Sequence, residues 1–440
     1  MKTGQALQTD FPIEAGGKTK KNFRWTVVIW LLIGGIINYL DRTNLAIAAP
    51  AMMKELDLNM THIGLLGTIF SWTYAMMQLP SGWLIDKFGA KRIYSIAVLW
   101  WSIATAMTGA CNKMLTLVGA RFLLGVGEAP CMPSNAKITA QWFPKSERGL
   151  ATGFWDASSK IGPAIAPPIL VAIQVAFGWR ALFFITGAIG IIFALLFMKF
   201  YKTPDKSKML SKEEYDYIKA EGGASTDTVE SANIKWRELF KYRSVWGMIG
   251  GFFCTIWIWN IFLTFLPLYL LNTQDITFKE LGIYAAIPYF GGIVGNLGGG
   301  YITKVLADKK ICSPINAKRG LIAISALLAA AFVIMIPFVN GLGITITLMT
   351  LALCVVSAIT GSAWALSGDV APPAMVGSVG AIQNFGGYFG GAFAPLVTGI
   401  ILDTTGSYSA AFISGGIIAG FAAFFYWFVV KEPIKPAKAA

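Results

Sequence analysis

Residues 149–189 read GLATGFWDASSKIGPAIAPPILVAIQVAFGWRALFFITGAI, and residues 377–417 read GSVGAIQNFGGYFGGAFAPLVTGIILDTTGSYSAAFISGGI. Laid on one another without a gap, at an offset of 228 positions, the two stretches share eleven identical residues, Ile173 and Ile401 among them. Gly149, Gly162, Ala164, Ala166 and Pro167 match Gly377, Gly390, Ala392, Ala394 and Pro395; Gly178, Phe184, Ile185, Gly187 and Ile189 match Gly406, Phe412, Ile413, Gly415 and Ile417. Each stretch is two apolar runs joined at a glycine, and each run is long enough to cross a hydrocarbon core of about 30 Å as a helix. Glycine and alanine are common in membrane helices, but a gap-free match over two spans and their turn marks an internal repeat. The chain is therefore built twice from one design, and the repeat predicts that residues 156 and 160 of the first copy face the same environment as Asn384 and Tyr388 of the second.

The rest of the chain extends this pattern. Of the 440 residues, 55% are hydrophobic and 13% charged, about half the charged share of an average soluble protein. Apolar runs fall at about 25–49, 62–84, 93–111, 115–137, 149–176, 180–198, 246–271, 279–303, 320–338, 343–367, 376–402 and 408–430. The expected fold is an all-α membrane protein of twelve transmembrane helices in two pseudo-symmetric six-helix halves. Its parts are an N-terminal segment 1–24, a first bundle 25–200, a polar linker 201–245 with an amphipathic helix near 210–219, a second bundle 246–430 and a tail 431–440. Paired halves of this kind place a binding site near the membrane midplane between them. Gly291, Gly295 and Gly299 at four-residue spacing, and Gly386, Gly387, Gly390 and Gly391, give helix faces that approach closely.

The net charge of +13 follows the spans rather than forming a nucleic-acid surface. Lys and Arg crowd the N-terminal segment, the loops after the second, fourth, sixth and eighth spans, and the tail, with ten of them between Lys199 and Arg243. The alternate loops hold only Lys54, Lys113, Arg180 and Lys279. By the positive-inside rule both termini are cytoplasmic, and no nucleic-acid partner is expected. The first span is too long for a cleaved signal and carries Asp41 and Arg42. Cys111, Cys131, Cys254, Cys312 and Cys354 have no paired spacing, which points to small core residues rather than a disulfide framework or metal site. The Asn59-Met-Thr61 sequon falls in a short loop, and the lone histidine, His62, stands at a span end where it is expected to be solvated.

Charges at membrane depth cost at least ~2.5–3.5 kcal/mol each and usually face a cavity with a task. The deep ones are Asp41 and Arg42 on span one, Arg121 and Glu128 on span four, and Asp156 and Lys160 on span five; the second half adds only Asp369, near a span end. At about 1.5 Å per residue, Asp41 and Arg121 lie ~12 and ~9 Å from the outer ends of their spans, so the two could meet as a pair. Glu128 lies two turns deeper on the face of Arg121. A carboxylate without a partner favours its protonated form, whereas a nearby guanidinium holds it ionised, so Asp41 and Glu128 are candidates for proton binding, with Arg121 orienting Asp41. Arg42 is a candidate seat for a substrate anion, because arginine keeps its charge and grips carboxylates with two parallel hydrogen bonds. The alternative is that these four groups form a neutral network holding two helices together. Asp156 and Lys160, four residues apart, either neutralise each other or leave Lys160 as a second positive charge for a diacid.

Several motifs resemble known ones. Gly82-Trp-Leu-Ile-Asp86-Lys87-Phe-Gly89-Ala-Lys91-Arg92 resembles the gating loop between spans two and three of the major facilitator superfamily, and Leu117-Val-Gly-Ala-Arg121 resembles its span-four arginine motif. The second-half counterpart of the loop, Gly300-Tyr-Ile-Thr-Lys304, has lysine where an acid is expected. Tyr39-Leu-Asp41-Arg42-Thr-Asn44, Gly127-Glu128-Ala-Pro and Trp142-Phe-Pro144 with Glu147-Arg148-Gly149 are similar to the anion:cation symporter family, nearest to its bacterial sugar-acid members for hexonates and hexarates. That resemblance implies proton-coupled uptake of a small organic anion through the bacterial cytoplasmic membrane, powered by the proton gradient without a cofactor or metal, in a protein expected to be a monomer. It implies that Gly82, Asp86, Gly89 and Arg92 gate, that Asp41 and Glu128 carry protons, and that Arg42 meets the substrate carboxylate. It also implies that Tyr74, Ser159, Trp364, Ser367 and Asn384 line the site. Relatives for other carboxylates have an extra arginine on span seven, where this chain has Trp257, Trp259, Asn260 and Thr264, and Lys160 departs from the galactonate-type pattern. Exchange or export of organic anions is the competing transport reading. No HExxH, Walker A or glycine-flanked serine nucleophile points to an enzyme.

Overall fold

The computed structural model describes residues 22–144, 147–220, 236–371, 376–431 and 433–434. Its helices, in chain order, are α1 (Phe23–Leu56), α2 (Met60–Phe88), α3 (Ala90–Ala110), α4 (Met114–Glu128), α5 (Cys131–Trp142), α6 (Arg148–Asp156), α7 (Ser158–Phe200), α8 (Lys212–Ala220), α9 (Trp236–Leu239) and α10 (Arg243–Thr273). They continue with α11 (Phe278–Tyr284), α12 (Ile287–Asp308), α13 (Pro314–Met335), α14 (Leu342–Val370), α15 (Val376–Gly391), α16 (Ala394–Thr405) and α17 (Tyr408–Phe424).

Among the described residues, ten helical stretches are long and apolar enough to cross a membrane. One of them, Leu150–Phe200, turns at Gly178, whose φ of 84° is open to glycine alone at no steric cost, and so makes two spans. With α2, 29 residues long, the total is the twelve expected. The corner between α2 and α3 is likewise a glycine, Gly89, at φ 85°. Helix starts are written locally: Asn59 and His62 form a capping box at α2, Thr277 and Glu280 another at α11, and Ser313 and Ser407 cap α13 and α17.

Four expected spans are irregular at one turn while the backbone stays right-handed. The irregular turn lies at Ala129–Pro130 in the fourth, Ala157 in the fifth, Ala285–Ala286 in the eighth and Ala392–Phe393 in the eleventh. Hydropathy averages over such irregularities, which neighbouring helices and local turns satisfy in an apolar setting. The linker helix, expected near 210–219, is α8. His62 spends its Nδ1 accepting from the Asn59 N–H at an exposed end, so it is a helix cap.

Within each half the helices pack closely: α1 and α3 against α7, α2 and α3 against α4, and in the second half α12 and α13 against α14 and α10 against α15 and α17. Gly295 lies on the Cys354 carbonyl, where any side chain would collide with backbone. The halves meet along α2 with α15 and α16, α1 with α10, and α7 with α11 and α12. At the end carrying Asn59 they share one hydrophobic core, in which Met52, Ile63 and Trp179 of the first half pack with Leu268, Met349 and Leu402 of the second. There the Met60 and Thr61 N–H groups donate to Asp403 across the halves, at 3.1 and 2.7 Å, and the Leu396 N–H donates to the Thr68 hydroxyl at 3.2 Å. At the opposite, basic end each half keeps its own core, Val28, Tyr94, Trp142 and Phe197 in one and Met248, Ile322, Val370 and Tyr426 in the other. The molecule is closed at one end and divided at the other.

Candidate functional site

At the head of this division stands Arg42. It lies on α1, 7% exposed, with its Nε donating to Glu128 Oε2 of α4 at 2.7 Å. The Glu128 side chain is fully buried. Three rings surround the guanidinium: Tyr74 at 4.6 Å, Tyr39 at 5.1 Å and Phe70 at 5.3 Å. From the other half Tyr388 closes the ring of aromatics, its centroid 5.4 Å from that of Tyr74 and its hydroxyl within electrostatic reach of Arg42. Cation–π contact of this kind adds about 0.5–2 kcal/mol per ring when water is excluded. Arg42 Nη2 and Glu128 Oε1 nevertheless have no hydrogen-bond partner. Buried polar atoms are rarely left this way, and here the spare donor and spare acceptor belong to the same ion pair.

The pair that depth allows between Asp41 and Arg121 does not form. Asp41, 1% exposed, accepts instead from Asn44 Nδ2 at 3.3 Å, with Thr105 and Thr186 beside it, and its Oδ2 is unpartnered. Arg121, 2% exposed, leaves Nε and Nη2 unpartnered and sits within electrostatic reach of both carboxylates. The depth estimate fixed height along two helices but not their rotation, and the rotation of α1 gives Arg42, not Asp41, to α4. Between the two arginines lies a cavity of about 30 Å³, walled also by Ser71 and, from α10, by Asn260 and Thr264. It is roomy and polar enough for an ordered water.

Lys160 does not form the expected neutralising pair with Asp156. The backbone stays helical through Ala157, between α6 and α7, yet Asp156 and Lys160 form no ion pair. The Lys160 ammonium lies 4.8 Å over the ring of Trp259, a buried residue of α10 in the other half. Among the described residues no ion pair or hydrogen bond engages it, although Asp156 is within electrostatic reach. Asp156 in turn reaches Tyr39 and Tyr388 electrostatically, and both also reach Arg42. Lys160 and Arg42 are therefore linked electrostatically through Asp156 and the two tyrosines.

The other expected lining residues are placed as follows. Ser159 is 7% exposed next to Lys160. On α14, Ser367 donates to the Trp364 carbonyl at 2.7 Å, and the half-exposed Trp364 ring packs edge-on against Phe252, 6.0 Å away, with Gly380 of α15 facing both residues. Asn384 is half-buried on α15. No described hydrogen bond or ring contact joins Trp364, Ser367 or Asn384 to Arg42. Of the gating loop, Gly82, Gly89 and Arg92 lie at the α2–α3 corner at the basic end; the side chain of Asp86 lies outside those described. Asp369 pairs with Lys318 inside the second half. Sequence reasoning named Tyr39 only as part of a motif and Tyr388 only as the repeat partner of Lys160. The repeat was the available signal, since it put Tyr388 at the level of a buried charge.

A two-half helical bundle, closed at one end and holding buried charges where its halves meet, is the design of a membrane transporter. Residues 31–395 match the Major Facilitator Superfamily, and the chain belongs to that family. It is 34% identical to the protein described as "Probable L-galactonate transporter" of Escherichia coli (strain K12), over 97% of this chain and 94% of that one. It is 30% identical to a "Probable galactarate/D-glucarate transporter" of the same organism, over 94% of each chain. Among solved structures it resembles a bacterial homologue of the human lysosomal transporter Spinster, in an inward-facing and occupied conformation, with a TM-score of 0.75 at 19% identity, covering 95% of this chain and all of that one. That likeness speaks for the fold.

Proposed function

We propose that this transporter is a proton-coupled symporter importing a sugar acid, a hexonate or hexarate, by alternating access, and that protonation of Glu128 releases Arg42 to take the substrate carboxylate. The observation that carries the reading is the buried Arg42–Glu128 pair, with one donor and one acceptor to spare. While Glu128 is ionised it occupies Arg42. Once it takes a proton the attraction falls away, and the guanidinium can fork to a carboxylate entering from the divided end. Asp41, held by Asn44 one helical step from Arg42, is the second proton carrier, and Arg121 balances whichever of the two carboxylates is ionised. Tyr74 and Tyr388 orient the anion; Ser159, Ser367, Asn384 and the Trp364 ring supply the hydrogen bonds and flat surface that a polyol chain needs. Gly82, Asp86, Gly89 and Arg92 act at the opposite closure, and no cofactor enters.

The names of the relatives support the cargo class, and the basic loops support the orientation: the divided end faces the cytoplasm and both termini lie there. On this orientation the conformation described is inward-facing. The working unit is a monomer in the bacterial inner membrane, since substrate and proton groups all come from one chain.

The test is uptake into proteoliposomes under an imposed inward proton gradient, screened over hexonates, hexarates and hexuronates with external pH recorded. Uptake with alkalinisation of the medium is expected. Acidification on substrate addition would replace symport with exchange or export.

A further inference from the structure

The end of the molecule richest in Lys and Arg carries a cavity apart from the substrate site at Arg42. It opens beside the first turns of α3, has a volume of about 590 Å³, and is closed on the other side by the end of α7 and the turn that follows. Lys91 and Arg92 reach it from α3 and Lys206 from the turn; among the described residues Asp205 is the one carboxylate on its wall. Lys202 and Lys206, both of its own sign, lie within electrostatic reach of Lys91. Among the described residues, four cations thus converge with one acid among them. The Gly89 corner leaves the N-terminus of α3 without a side-chain cap, so its free N–H groups and helix dipole add to the positive field.

The remaining walls are apolar and open. Ile96 of α3 is 49% exposed and Met198 of α7 is 36% exposed, and both helices continue from here into the membrane. A soluble anion would be held by the cations and gain nothing from these walls. An acyl chain alone would gain nothing from the cations. A molecule with a phosphate at one end and hydrocarbon at the other uses both.

We infer that this cavity binds an anionic phospholipid of the adjoining leaflet, its phosphate among Lys91, Arg92 and Lys206 and its acyl chains along Ile96 and Met198. The excess of positive charge selects a headgroup that remains negative overall, such as phosphatidylglycerol, over a zwitterionic one. Because Arg92 belongs to the α2–α3 corner and Lys206 to the start of the linker, the bound lipid ties these two segments together.

The experiment is native mass spectrometry of the full chain, purified in detergent and titrated with phosphatidylglycerol, phosphatidylcholine or inorganic phosphate. The variants are K91Q/K206Q and, as a control for charge removed from the other half, K309Q/K310Q. Wild type and control are expected to retain phosphatidylglycerol in preference to phosphatidylcholine. At about fivefold per lysine near an anionic headgroup, K91Q/K206Q should retain about thirtyfold less. Thermal melting of each variant, compared with wild type, guards against loss through misfolding. Equal retention of the two lipids overturns the inference, as does undiminished retention by a folded K91Q/K206Q or full displacement by inorganic phosphate. None of these outcomes touches the Arg42 site, so failure here leaves the transport reading standing.

Discussion

Replacing Glu128 by glutamine keeps its shape and removes its charge, and so imitates the protonated carrier. The ion pair is 2.7 Å long with side chains 4% and 0% exposed. Two unit charges about 4 Å apart attract by about 4 kcal/mol at an effective dielectric constant of about 20. A glutamine oxygen still accepts from Arg42, which returns about 1 kcal/mol, and the three rings around the guanidinium are unchanged. The substrate carboxylate therefore meets a competitor weaker by up to about 3 kcal/mol, part of which is lost to dehydrating the anion. Glu128→Gln should bind the sugar acid at least tenfold more tightly, by calorimetry on purified protein. It should exchange labelled for unlabelled substrate across proteoliposomes, yet fail to accumulate it under a proton gradient. Full gradient-driven accumulation would refute the coupling role, and weaker binding would refute the competition between Glu128 and substrate for Arg42.

Three further outcomes follow from the geometry. Asp403→Asn weakens the bond from the second half to the uncapped N–H groups of α2 by about 0.3–1 kcal/mol; spin labels across that end should show a larger open population, and an unchanged distance distribution would mean the contact is incidental. Lys160→Ala removes the ammonium from the Trp259 face and should depress uptake of diacids more than of monoacids, whereas an equal fall in both would make Lys160 a structural residue. Glu147, in the turn before α6, is held below the ordinary carboxylate range chiefly by its hydrogen bond with Arg24, helped by Tyr217, against some burial. With its folded-state value depressed, the stability it contributes is complete above the unfolded value and lost as pH falls through the folded one; amide exchange around Arg24 and Glu147 should rise on acidification below about pH 4 and stay flat above pH 6.

Spans, halves and the set of buried charges were all legible in the chain, because each rests on a quantity that sequence carries directly: apolar length, repetition and the cost of charge in hydrocarbon. Partnerships were not. Asp41 and Arg42 are consecutive, and a rotation of about 100° separates the two possible pairings with α4; no hydropathy pattern resolves that angle. The contact of Lys160 with Trp259 was hidden too, since it joins helices of different halves. The Asp403 contact was also invisible, since it depends on two helices from different halves meeting end to side.

The arrangement of these partnerships bears on how the halves can move. Arg42 and Glu128 are joined within the first half, and Asp41 and Arg121 also belong to it, so a rocking motion separates no opposite charges at the centre of the membrane. The contacts that do cross at mid-depth are aromatic: Tyr388 beside Arg42 and Tyr74, and Trp259 under Lys160. Each is worth about 0.5–2 kcal/mol, against about 4 kcal/mol for an ion pair at similar depth. A carrier that must part its halves in every cycle is better served by contacts of the first kind. A substrate carboxylate drawn to Arg42 or Lys160 would compete with these aromatic contacts and not with a cross-half ion pair. On the proposed mechanism the anion that fills the site would thereby loosen the seam it must pass, and the second half, although almost free of buried charge, would take part through its rings.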